Sequence, residues 1–121
     1  MSHFHSFSKS LYILNYHDVS WATDVHMRSL GGTVTPHHFD THVKYYSNHG
    51  ELISIQDGIE QLQSGQGFDS PKFAFWFDDG FLGVRRYAKP ILDPYGVTAG
   101  TSVCSRFVGR NEMFWRAKMA Y

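Results

Sequence analysis

Residues 73–80 read FAFWFDDG: five apolar residues run straight into Asp78, Asp79 and Gly80. Successive side chains on a strand point to opposite faces, so a strand apolar at every position must be covered on both. That pattern predicts a central parallel strand between layers of helix. In parallel α/β folds, reactive groups gather at the C-terminal ends of the strands. Asp78 and Asp79 fall at such an end. Two adjacent carboxylates repel, and one must be neutralised by a proton or a cation. A divalent metal on one would leave the other free to take a proton from water. Gly80 permits the tight turn this needs. The alternative is that the pair simply caps the next helix.

Outward from this stretch, strand-like and helix-like segments alternate. Leu11–Tyr16 (LYILNY) is a short β-prone run with His17 and Asp18 at its C-terminal end, so His17 shares the end where the carboxylates sit. Residues 20–33 are irregular, contain Gly31-Gly32 and read as a long loop. A helix then starts with Thr35 as N-cap and Pro36 at its first position, buries Phe39, Val43 and Tyr46, and stops at Gly50. Leu52 and Ile53 mark a short strand. Ser54, with Asp57 three residues on, forms a capping-box pattern for a helix with Ile55, Ile59 and Leu62 on one face and Gly65 at its end. Residues 64–70 are a polar connector. Beyond Gly80 a third helix carries Val84, Ala88 and Ile91. Pro90 should kink or restart it, and Asp93-Pro94-Tyr95-Gly96 closes it. Residues 97–105 read as a fourth strand and residues 107–121 as the start of another helix. The β-α-β-α-β-α-β order predicts an α/β fold, a partial (β/α) barrel with about four parallel strands and flanking helices.

Composition narrows the function classes. The 121 residues suffice for one domain, with 1–10 expected as a flexible terminus and 11–121 as the folded part. Ten Phe, seven Tyr and three Trp exclude a disordered polar chain. Eleven acidic residues balance eleven basic ones, which argues against a nucleic-acid partner. Cys104 is the only cysteine, so no intrachain disulfide forms; it reads as a buried, inert thiol. Five residues is the longest apolar run near the centre of the chain, too short for a membrane span. The N-terminus lacks signal-peptide features, so the chain as written reads as cytoplasmic, while the compartment itself stays open.

The segments FWFDDG, Ala88-Lys89-Pro90-Ile91-Leu92 and Gly96-Val97-Thr98-Ala99, preceded by Tyr16-His17 and by Thr35-Pro36 with Phe39, occur in one order along the chain. Together they resemble the polysaccharide deacetylases of the NodB-homology type (carbohydrate esterase family 4-like), whose N-terminal part they would cover. The resemblance implies metal-dependent hydrolysis of N-acetyl groups on amino sugars. Asp78 would be the catalytic base that activates water and Asp79 a ligand to a divalent metal, usually zinc. His17 and Gly80 would line the substrate pocket. An N-acetylated carbohydrate is the implied partner.

Two departures from the family pattern stand out. Trp76 replaces a small hydroxyl residue, a change expected to affect packing more than chemistry. The family's two metal-binding histidines come from beyond the Asp pair, yet no His follows Asp79 here. Since a zinc site typically needs about three protein ligands, the chain alone is expected to be a weak or inactive enzyme. His38 and His42 stand one helical turn apart but read as a solvated face rather than as substitute ligands. The rival readings are a non-catalytic carbohydrate-binding or scaffold module, and a half-barrel completed by self-association or by a missing C-terminal half.

Overall fold

The structure, a computed structural model, describes residues 6–21 and 32–112. Its core is a four-stranded parallel sheet with helices against it, and a separate two-stranded ladder. The strands of the main sheet are β1 (Leu11–Tyr16), β4 (Glu51–Leu52), β5 (Lys72–Phe77) and β6 (Gly100–Thr101). β5 is central. β1 pairs along its whole length, from Leu11 opposite Lys72 to Tyr16 opposite Phe77. β4 takes the start of its other edge, and β6 takes the end, with Trp76 opposite Gly100. The small ladder joins β2 (Asp18–Val19) to β3 (Thr33–Val34), also in parallel. The predicted α/β partial barrel with four parallel strands is the fold observed.

The sheet buries its aromatic face against α1 (Pro36–His49). Phe73, Phe75 and Phe77 alternate along β5 onto that face, where Phe39 lies 5.7 Å from both Phe75 and Phe77, ring centre to ring centre. Phe39 and Val43 are fully buried there. Thr35 caps α1 as its sequence predicts, its Oγ1 accepting the His38 N–H at 3.2 Å. The opposite face carries Leu11, Ala74 and Trp76. It meets α2 (Ile55–Ser64) at Gly58, where an added Cβ would stand 3.0 Å from a Leu11 methyl.

Several local expectations are corrected. Ser54 makes no side-chain cap for α2; its Oγ instead accepts the Thr98 N–H at 2.8 Å, tying the helix to the approach of β6. Leu62, predicted on the buried face of α2, is exposed. The fourth strand shrinks to two residues, Gly100 and Thr101, which stand in register with Trp76 and Phe77 of β5. Cys104 is exposed, since it lies past the end of that ladder where no described element covers it. The third helix begins as a wide π turn, Val84–Ala88, in which Lys89 bonds back to the Val84 carbonyl, before α3 (Lys89–Leu92) resumes. Pro90 explains this: it has no N–H for the normal ladder. A 3-10 turn, Asp93–Tyr95, ends the segment at left-handed Gly96. Of the last helix, expected at 107–121, residues 108–112 follow a short 3-10 turn, Ser105–Phe107, without forming a helix, and residues 113–121 lie outside the described residues. So does most of the expected loop at 20–33.

Phe7 also packs into the fold, edge-on to Phe73 at 5.0 Å, and the Ser8 hydroxyl meets that of Tyr12 at 2.7 Å. Among the described residues no helix is long and apolar enough to cross a membrane.

Two predictions follow from the packing. Phe39→Ala empties the centre of the aromatic face and should cost about 3–5 kcal/mol in chemical denaturation; a loss under about 1 kcal/mol contradicts this core. Tyr16 is half-buried, and its hydroxyl meets His42 Nδ1 at 3.0 Å. Burial first, then the neighbouring Tyr46, pushes its phenol from 10.0 up to about 12. The folded state favours the neutral form, so this contribution is complete below pH 10.0 and fades as pH rises toward about 12. A phenolate absorbance titration should find one tyrosine ionising near that upper value, and Tyr16→Phe should remove it.

Candidate active site

The site lies where three strand ends converge. The Asp78 N–H bonds to the Tyr16 carbonyl at 2.9 Å, and the Ser102 N–H bonds to the Phe77 carbonyl at 3.0 Å. These two backbone bonds fix the exit of β5 between the exits of β1 and β6. Asp78 and Asp79 therefore emerge at the C-terminal edge of the sheet, as the sequence predicts. Both are partly exposed.

The Asp78 carboxylate is held by side chains from β1, from β5 and from the residue that follows β6. Its Oδ1 accepts the Ser102 hydroxyl at 2.8 Å and the Trp76 indole N–H at 3.0 Å. Its Oδ2 accepts the Asn15 amide at 3.1 Å. The Ser102 hydroxyl, then the Trp76 indole and the Asn15 amide, hold Asp78 below the usual carboxylate range, and positive charge on His17 acts in the same direction. Donors aimed at a carboxylate stabilise its ionised form. Asp78 thus remains an unprotonated acceptor.

Asp79 differs in every respect. Its φ is 72°, the one left-handed residue other than glycine among those described, and Gly80 follows at 66°. This pair of left-handed residues reverses the chain directly after β5. Gly80 has no spare room either: a Cβ there would lie 2.7 Å from a Val103 methyl. Among the described residues no hydrogen bond or ion pair falls on the Asp79 carboxylate, and neither aspartate accepts a backbone N–H of the following turn. The capping alternative has no bond to support it.

His17 follows β1 and is half-buried, with Gly32 packed against its side chain. The structure thus brings His17, Asp78, Asp79 and Gly80 to one end of the sheet. His42, expected on a solvated face, turns inward to Tyr16 instead, while His37 and His38 are exposed. A cavity of about 340 Å³ opens beside Gly80, between Phe77, Val84, Ala88 and Val103. It lies on the helix side of the sheet, and neither carboxylate lines it.

The sequence reading missed Asn15, Ser102 and the role of Trp76. Asn15 carried one signal, a polar residue inside an otherwise apolar strand near its C-terminal end. Trp76 acts on the chemistry of the site through its N–H, not only on packing.

A metal can be weighed against these residues. Asp79 offers an unengaged carboxylate, but among the described residues no three His, Cys, Asp or Glu side chains gather into one cluster. A zinc held by about three protein ligands does not fit them as they stand.

The strained backbone at Asp79 yields a test. Asp79→Gly relieves a left-handed conformation that side chains disfavour, so unfolding stability should hold or rise, by up to about 1 kcal/mol. A loss of more than about 1 kcal/mol would make this carboxylate a structural cap.

No family model and no curated protein matches the chain. Among solved structures it is similar to the Streptococcus pyogenes deacetylase PplD in complex with acetate, at 20% identity with a TM-score of 0.66. The match covers 91% of this chain and 51% of that one, so the chain spans about half the length of that structure. What the two share is an α/β fold, with parallel strands and flanking helices.

Proposed function

We propose that the chain is the N-terminal part of a deacetylase of the NodB-homology type, acting on N-acetyl groups of amino sugars in a polysaccharide. The observation that carries this reading is the division of labour at the end of β5. Asp78 is fixed by three donors as an unprotonated acceptor, while Asp79 is strained and unengaged. The fold shared with the streptococcal deacetylase, whose structure is in complex with acetate, supports it.

In this mechanism Asp78 takes a proton from water as the water oxygen adds to the acetyl carbonyl carbon. The resulting tetrahedral species collapses with cleavage of the carbon–nitrogen bond. The proton held on Asp78 goes to the departing sugar nitrogen, releasing a free amine and acetate. His17 and Gly80 are assigned to the pocket for the acetyl group. Asp79 is assigned to a divalent cation, zinc in the family that the sequence resembles. The described residues supply it with one carboxylate, so its remaining ligands would come from outside them.

Acetate release from N-acetylglucosamine oligomers tests the reading. The chain alone should turn over slowly, and Asp78→Asn should lower the rate by about 100-fold or more, the usual range for a lost general base. An equal rate in the variant contradicts the assignment of Asp78. Oligosaccharide binding with no acetate release in either protein would favour a non-catalytic carbohydrate-binding module.

A further inference from the structure

Trp76 and Asp78 lie two residues apart at the end of β5, so their side chains leave the same face of the sheet. The indole spans that separation, and its N–H reaches Oδ1 at 3.0 Å. The ring finds room because residue 100, directly opposite Trp76 on β6, is glycine. A Cβ at Gly100 would collide with the six-membered part of the indole. Trp76 and Gly100 therefore form one steric unit, and a side chain at either position constrains the other.

The donors are unevenly divided between the carboxylate oxygens. A carboxylate presents about four lone-pair sites, two on each oxygen. Oδ1 receives two donors, Trp76 and Ser102, and is filled. Oδ2 receives only Asn15, at 3.1 Å, and keeps a site open. We infer that Trp76 is a positioning residue: with Ser102 it occupies Oδ1 and fixes the rotation of Asp78, so that Oδ2 is the oxygen that receives the proton. This rests on the reading of Asp78 as the base. Gly100 acts one step further out, by admitting the ring.

The test uses the full 121-residue chain, isotope-labelled, in solution. Three-bond couplings from backbone nitrogen and carbonyl to Asp78 Cγ report its χ1 rotamer, and hydrogen exchange reports the Trp76 indole N–H. Wild type should give couplings of a single rotamer, with the Trp76 N–H exchanging about tenfold more slowly than that of exposed Trp21. In Trp76→Phe the Asp78 couplings should average over rotamers. Gly100→Ala should cause the same averaging in the wild-type background and none beyond it in the Trp76→Phe background. If Trp76→Phe folds poorly, Gly100→Ala alone decides, because it displaces the ring while keeping the indole. Unchanged single-rotamer couplings in the variant that folds would overturn the inference, even if the wild-type chain releases acetate. Averaged couplings support it even if acetate release is absent, a result that would count against the base assignment alone.

Discussion

The parallel pairing of β5 with β1 on one edge and with β4 and β6 on the other organises this molecule. β5 can occupy the centre because Lys72–Phe77 is apolar almost throughout, with one face on α1 and the other toward α2. The exception at its start, Lys72, is buried yet paired with Glu51 and with Asp69 at 3.1 Å. A buried cation requires such partners. Once β5 is fixed, parallel register brings the ends of β1, β5 and β6 together, and with them Asn15, Asp78 and Ser102. No residue of the Asp78 hydrogen-bond set is near Asp78 in sequence except Trp76. The set exists because the sheet exists.

The same register treats two neighbouring carboxylates in opposite ways. Asp78 is the first residue past the ladder, and its backbone still bonds to β1, so its side chain inherits the strand's face and the donors on it. Asp79 is where the chain turns back in a left-handed conformation, and its carboxylate bonds to none of those donors. Adjacent like charges are costly when both face one environment. Here the strand end separates their environments within a single residue step. Two roles, an acceptor held in place and a carboxylate available to a cation, follow from that separation.

Much of this was legible in the sequence wherever the pattern was long or the local chemistry strong. FAFWF announced a doubly covered strand, Thr35-Pro36 announced a helix start, and Asp78-Asp79-Gly80 announced the turn at a strand end. The misses share a cause. Ser54 was read as a local cap, but its hydroxyl is claimed by Thr98, a residue far along the chain. His42 was placed by helical periodicity on a wet face, but Tyr16 of the neighbouring strand draws it inward. Trp76 was read as a packing variant because its partners, Asp78 and Gly100, become neighbours only through side-chain alternation and β5–β6 pairing. Cys104 and the shortened β6 depend on how far the ladder extends, which local composition does not encode.

A carbon-13 titration of the Asp78 carboxyl group, in the wild-type chain and in Ser102→Ala, bears most directly on the way the converging strand ends hold this aspartate. Asp78 should ionise below the usual carboxylate range in the wild type, and closer to that range once the Ser102 hydroxyl is gone. An Asp78 midpoint within the usual range, unmoved by the substitution, would contradict the donor set that ties Asp78 to Ser102, Trp76 and Asn15.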